Sequence, residues 1–352
     1  MAIKTNSLLL SPSYIKMLED SSAWTVDISW LEGKTIFIAG ASGGIGSFLI
    51  DLLMRMDVQV KVLALGRNKS RLDARFSQYP RVSVLVEDIT KSIPLVECDY
   101  IINAASNTHP VQYASYPVDT IMTNVLGTKN LLELASKQKK CRFIFMSSVE
   151  IYGQNKGDTH KFLEDYCGYI DCNTLRAGYP ESKRAGEALC QAYAAEKGVD
   201  AAILRLSRVY GPTMANDDSK AIAQFIRNAV NKEDIILKSD GTPLYSYAFV
   251  YDAVSALLHT MIHGETGAAY NVSGDDSDIS LKDLAKILAE IAGVKVVYHA
   301  PSSVEAKGFS AATKALLDTE KLKKIGWKSQ YGLKAGLEQT IRILNEVSIN
   351  DK

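Results

Sequence analysis

Tyr179-Pro-Glu-Ser-Lys183 sets a phenol and an ammonium four residues apart, a spacing that brings both to one face of a helix. Pro180, at an early helical position, costs no internal hydrogen bond there. A phenol of pKa about 10 is a poor base at neutral pH, but a lysine ammonium beside it, with a second positive charge nearby, favours the phenolate. The pair then makes a usable acid and base for an alcohol that gives up hydride. Ser147-Ser148 closes the β-rich run that precedes it.

A second constellation binds rather than reacts. Thr35-Ile-Phe-Ile-Ala39 runs into Gly40-Ala-Ser42-Gly43-Gly44-Ile45-Gly46 and then into a helical pattern. Glycines at 40, 43 and 46 let the strand turn tightly, admit a pyrophosphate against bare backbone and let the helix pack on the sheet. The helix N-terminus adds N–H groups and partial positive charge. Strand before and helix after make this turn a dinucleotide site. The ribose should be read at the end of the second strand, where Ala64-Leu65-Gly66-Arg67-Asn68 lacks the acidic residue that would bind a free 2′-hydroxyl. Arg67, with Lys69 and Arg71 close behind, could hold a 2′-phosphate, which leans towards NADP. Arg67 could equally stack on adenine, with NAD as the cofactor. Both stay open.

These groups need elements to carry them. From Lys34 onward, short apolar β-rich runs at 35–39, 58–65, 82–86, 100–103, 142–146 and 201–206 read as strands buried on both faces. Amphipathic segments at 45–56, 117–137 and 179–197 fall between them. The alternation predicts an α/β fold with a Rossmann-type, doubly wound parallel sheet. After Gly211-Pro212 the rhythm shortens, with helices expected at 221–230, 281–292 and 333–345. The expected organisation is an N-terminal arm over 1–33, a nucleotide-binding domain over 34–210, and a smaller C-terminal α/β substrate domain over 211–352. A piece around 245–263 is expected to return to the first domain. Ser11-Pro12-Ser13 reads as a helix start within the arm.

Composition narrows the partners. The chain has 352 residues, enough for roughly two domains. Forty Lys plus Arg balance forty Asp plus Glu, so there is no electrostatic footprint for nucleic acid or an anionic membrane. No apolar stretch approaches the ~18 residues of a membrane span, and Leu8-Leu9-Leu10 is too short for a signal-peptide core. Five scattered cysteines without a C-x-x-C pair point to reduced thiols and a cytoplasmic protein, and no metal site is expected.

Together the motifs resemble the extended short-chain dehydrogenase/reductase superfamily, in its NAD-dependent epimerase/dehydratase branch of nucleotide-sugar enzymes. Those motifs are the glycine turn, Glu87-Asp88-Ile89, Asn103-Ala104-Ala105, Asn124-Val-Leu-Gly127-Thr128, Ser147-Ser148-Val149-Glu150-Ile151-Tyr152-Gly153, Tyr179-x-x-x-Lys183, Arg205-Leu-Ser-Arg-Val-Tyr210-Gly211-Pro212 and Leu322-x-x-x-Gly326-Trp327. The resemblance implies Tyr179 as base, Ser148 holding the sugar hydroxyl, and Lys183 on the nicotinamide ribose. Asp88 and Ile89 would border adenine, Ala104 and Ala105 the cofactor backbone, with Asn68 and Asn124 among the cofactor contacts. Helices near 117–137 and 179–197 would form a four-helix homodimer interface. Ser106 and Arg176 would contact a nucleotide-sugar substrate.

Local spacing is similar to that of UDP-glucuronate decarboxylases through Glu164-Asp165-Tyr166-x-Gly168, Arg176, Tyr179 and Glu181-Ser182-Lys183-Arg184. Glu150 falls where those enzymes carry a glutamate able to manage a proton at C5 of a 4-keto sugar; it could instead only orient Tyr179 or Arg176. Val149 replaces the aspartate that 4,6-dehydratases use to protonate a leaving hydroxyl. Decarboxylation or epimerisation therefore ranks above dehydration. Two departures bear on the substrate. Tyr245 stands where the family has an arginine on the diphosphate, and Lys314 where a second arginine is expected. Arg208, in a slot usually held by asparagine, could compensate; Arg176, Arg208 and Lys314 could equally be solvated. The rival from another class is a non-catalytic NAD(P)-binding scaffold or redox sensor.

Overall fold

A computed structural model of the protein describes residues 7–20, 26–108, 110–301 and 312–350. The parts of the expected arm at 1–6 and 21–25 lie outside the described residues. Strands β1 (Thr35–Ala39), β2 (Lys61–Gly66), β3 (Val82–Val86), β4 (Tyr100–Asn103), β5 (Arg142–Ser148) and β6 (Asp200–Leu206) alternate with helices. Strands β7 (Arg208–Tyr210), β8 (Ile235–Leu237), β9 (Leu244–Phe249), β10 (Ala269–Val272), β11 (Asp278–Ser280), β12 (Val296–Tyr298) and β13 (Lys314–Ala315) follow.

Among the described residues, seven strands form one sheet in the order β10-β6-β5-β4-β1-β2-β3. Every pair is parallel. The fold is a Rossmann-type, doubly wound sheet. Strand periodicity explains its two covered faces: Ile36 and Ile38 enter one apolar cluster, while Phe37 and Ala39 enter the other. Strand order reverses between β1 and β4, which opens a crevice at their carboxyl ends.

A smaller sheet completes the site. It has the order β11-β9-β13, with β7 paired to β9. Only Ser207 separates β6 from β7, so the chain passes from the large sheet into the small one within a single residue. The segment expected to return as one piece behaves differently in its parts. Leu244–Phe249 lies in the small sheet, whereas the helix Val250–His263 packs beside the helix Gly44–Arg55, with Tyr251 edge-on to Phe48 at 6.3 Å. The strand that joins the large sheet is β10, beside β6. The four residues Ala269–Val272 carry too little pattern to announce a strand.

In the arm, Ser11 caps the helix Pro12–Glu19 by accepting from the Tyr14 N–H. Ser11 and Ser13 hydroxyls also donate to Glu346 at 2.5 Å, on the C-terminal helix Leu333–Asn350. Tyr14 donates to Asp51 at 2.7 Å, and Arg75 pairs with the same buried carboxylate. The arm is thereby fixed to the C-terminal helix and to the helix Gly44–Arg55.

Candidate active site

The phosphate turn owes its shape to two glycines. Gly40 has φ +81°, and a Cβ there would stand 2.7 Å from the backbone of Ala104 and Ala105. A Cβ on Gly46 would stand 2.6 Å from the Gly40 carbonyl. The helix Gly44–Arg55 starts behind Gly43 with no side-chain cap, which leaves its first N–H groups facing the crevice. Thr213 closes over this end by donating to the Gly44 carbonyl at 2.8 Å.

The crevice is a cavity of about 640 Å³. Gly40, Ser42, Gly43, Gly44, Ile45 and Gly46 line one end, continued by Arg67, Asp88, Ile89, Ala104 and Ala105. Ser106, Ser148, Glu150, Tyr179, Lys183, Arg208 and Tyr245 line the other. The bare turn, the uncapped helix and the length of the cavity fit a dinucleotide. Among the described residues there is no cluster of side chains able to hold a metal ion.

Local sequence explains how the reacting groups are held. Strand β5 ends at Ser148, whose hydroxyl accepts from the Glu150 N–H at 3.2 Å and starts the single turn Val149–Tyr152. Gly153, at φ +69°, ends that turn against Tyr169, where a Cβ would lie 2.4 Å from a carbonyl. Tyr179 and Lys183 sit buried on one face of the helix Gly178–Lys197. The Lys183 ammonium donates to the Met146 carbonyl at 2.8 Å.

Burial pushes the Tyr179 phenol up to about 12, a hydrogen bond with Ser148 pulls it down, Glu150 raises it and Arg176 lowers it. Burial also pulls Lys183 down to about 8, while Glu187 raises it. The expected phenolate rests on two positive charges, the Lys183 ammonium and a nicotinamide ring, and the second comes only with the cofactor. Desolvation outweighs the local charges, so the Tyr179 phenolate needs a further positive charge.

Glu150 stands between two arginines. Arg176 donates to one carboxylate oxygen at 2.8 Å, and Arg208 lies 3.6 Å from the other. Three expected contact residues lie outside the cavity lining. Arg176 packs behind Glu150, 4.6 Å over the Tyr113 ring, because its charge is drawn to the carboxylate. Asn68 is used as a cap, accepting from the Arg71 N–H at 2.9 Å. Asn124 is a buried tether that accepts from Ser106 at 2.8 Å and donates to Ser182 at 2.9 Å. Lys314 begins β13 beside β9, also outside the lining.

Sequence reasoning missed Tyr113, whose ring lies 5.3 Å from that of Tyr179, and Thr213. Tyr113 sits in a six-residue helix with no buried position and therefore no pattern; Thr213 directly follows Gly211-Pro212, a usable signal.

A family model described as the NAD dependent epimerase/dehydratase family matches residues 36–273. The chain belongs to this family. An enzyme of this family therefore carries the site described above. UDP-glucuronic acid decarboxylase 1 of Arabidopsis thaliana is 32% identical over 322 residues, covering 88% of this chain and 71% of that protein. UDP-glucose 4-epimerase of Thermotoga maritima, solved with UDP-glucose, has a similar fold at TM-score 0.77 and 23% identity, covering 89% and 99% of the two chains. UDP-glucuronic acid 4-epimerase of Bacillus cereus, solved with UDP-glucuronic acid and NAD, reaches TM-score 0.76 at 20% identity, with coverage of 89% and 99%.

Proposed function

We propose that this family member modifies a nucleotide sugar through a 4-keto intermediate, and that the reaction is decarboxylation of a nucleotide-linked uronic acid. The observation that carries the reading is the joint placement of Ser148, Tyr179, Lys183 and Glu150 at one end of a dinucleotide-sized cavity, with Val149 between the serine and the glutamate. The similarity to UDP-glucuronic acid decarboxylases supports the same choice.

In this reading Ser148 and Tyr179 hold the C4 hydroxyl, and Tyr179 takes its proton. Oxidised nicotinamide dinucleotide, held by the glycine turn, would supply the positive charge that favours the phenolate, take up the C4 hydride and return it to C4 once carbon dioxide has left. The resulting ketone is the electron sink for the bond to the C5 carboxylate, so carbon dioxide can leave without an acid at C6. Val149 has no proton to give, which disfavours loss of water. Glu150 manages the proton that replaces carbon dioxide at C5.

NAD is the preferred form of the cofactor. Arg67 lies 3.6 Å from Asp119, so a 2′-phosphate would compete with that carboxylate for the guanidinium. A homodimer is supported by the helix Pro117–Ser136, on which Val118, Met122 and Leu126 form an exposed apolar row at four-residue spacing. Among the described residues no helix is long and apolar enough to cross a membrane.

Mass spectrometry of products from UDP-, GDP-, CDP- and dTDP-linked sugars, with NAD present, tests the reading. A nucleotide pentose from a nucleotide uronate is expected. A bound cofactor with no product from any sugar would favour a scaffold or sensor instead.

A further inference from the structure

Arg208 has more donors than the protein uses. It comes from β7, in register with Tyr247 of β9, and lines the reacting end of the cavity. Its guanidinium lies 3.3 Å over the centroid of the Tyr245 ring. That ring is itself fixed, since the Tyr245 hydroxyl donates to the Ala312 carbonyl at 3.0 Å. The Arg208 Nη1 is buried and has no hydrogen-bond partner among the described residues. That nitrogen is closed off from the cavity, so a ligand meets Arg208 through the rest of the side chain, which lines the cavity wall.

Local charge says what acceptor fits. Arg176 and Arg208 surround the one carboxylate of Glu150, at 2.8 and 3.6 Å. One positive charge is left over, and it falls to Arg208, the more distant of the two from Glu150. A neutral sugar would leave that charge unanswered; an acidic group next to the reacting carbon would answer it. Glu150 follows Ser148 by two residues, and Ser148 is hydrogen-bonded with Tyr179. The surplus charge therefore lies at the C4 end of the substrate, where C5 and its substituent are adjacent.

Resting on the nucleotide-uronate reading above, we propose that Arg208, held flat by Tyr245, is the specificity-determining residue that pairs with the C6 carboxylate of the sugar. A guanidinium suits the role because its planar fork can both stack on a ring and meet two carboxylate oxygens.

Calorimetric titration in the presence of NADH, which cannot accept the C4 hydride and so prevents turnover, with UDP-glucuronate, UDP-glucose and UDP as probes, tests the proposal. Wild type should prefer UDP-glucuronate. Arg208→Gln should weaken UDP-glucuronate by about 10²-fold, as for a lost buried charge pair, and leave UDP-glucose and UDP within about threefold. Arg208→Lys, which keeps the charge without the fork, should retain part of the preference, and melting curves and NAD titration check that each variant is folded. Equal weakening of all three probes would overturn the proposal in favour of a diphosphate contact. A wild type with no preference for UDP-glucuronate, or a preference that survives Arg208→Gln, would also overturn it. An Arg208-dependent preference without any pentose product would sink the decarboxylase reading and leave this inference standing.

Discussion

Replacing Glu150 by glutamine separates the redox step from the chemistry at C5. The substitution keeps the shape and one acceptor oxygen but removes the charge between Arg176 and Arg208, whose side chains are only 12% and 17% exposed. Removing one member of a buried ion pair costs about 3–5 kcal/mol. The retained acceptor for Arg176 brings the expected loss below that range, to about 2–3 kcal/mol. For a chain of 352 residues this lowers the melting temperature by about 3–4 °C, so the variant stays folded at assay temperature. The chemical effect is separate. Hydride leaves C4 under the control of Tyr179, so single-turnover mixing with UDP-glucuronate should still raise the reduced-nicotinamide absorbance. Product formation should fall by about 10²-fold, which corresponds to about 2.7 kcal/mol of barrier. Loss of the absorbance with the product ratio retained would assign Glu150 to the redox step and refute the reasoning. Wild-type behaviour would mean that no proton moves at C5, as in simple C4 epimerisation.

The remaining expectations are shorter. Tyr179→Phe should cut turnover at least about 10²-fold while NAD affinity survives, because the phenol lies at the far end of the cavity from the phosphate turn; near-normal turnover would remove Tyr179 from the mechanism. NAD should bind more tightly than NADP, and Asp119→Asn should narrow the gap by releasing Arg67 from its 3.6 Å partner; a wild-type preference for NADP, weakened by about 1.5–3 kcal/mol in Arg67→Ala, would reverse the cofactor assignment. Burial pulls His259 down to about 4, with His263 adding to the shift. The unfolded chain therefore binds more protons between pH 6.5 and 4, and stability is lost as pH falls through that window. His259 should account for about 2 kcal/mol between pH 7 and 5, seen as a shallower acid slope in urea melts of His259→Leu; an unchanged slope would contradict the assignment.

Much of this was legible in the sequence because it is local. The strand–turn–helix at Gly40–Gly46 and the four-residue spacing of Tyr179 and Lys183 are set by neighbours along the chain. So was the helix start at Ser11, whose hydroxyl accepts from the N–H three residues on. What escaped was non-local. Asn124 reaches Ser182 across 58 positions. No periodicity records which of several polar side chains will close such a gap, so nothing along the chain announces Asn124 as a tether, and the pairing of Glu150 with Arg176 is one of two readings left open. Strand β10 was hidden for the same reason, since its place beside β6 depends on a pairing over more than sixty residues. The phenol of Tyr179 shows a different limit: its neighbours were readable, but the desolvation that dominates its acidity depends on the packed site.

The central claim is transient oxidation at C4, and deuterium at that carbon tests it most directly. UDP-glucuronate labelled with deuterium at C4 should reduce bound NAD more slowly than unlabelled substrate in a single turnover. The pentose product should carry the deuterium back at C4, because the hydride returns to the carbon it left. Product that forms at the same rate with either substrate, with no reduced-nicotinamide absorbance, would contradict the account.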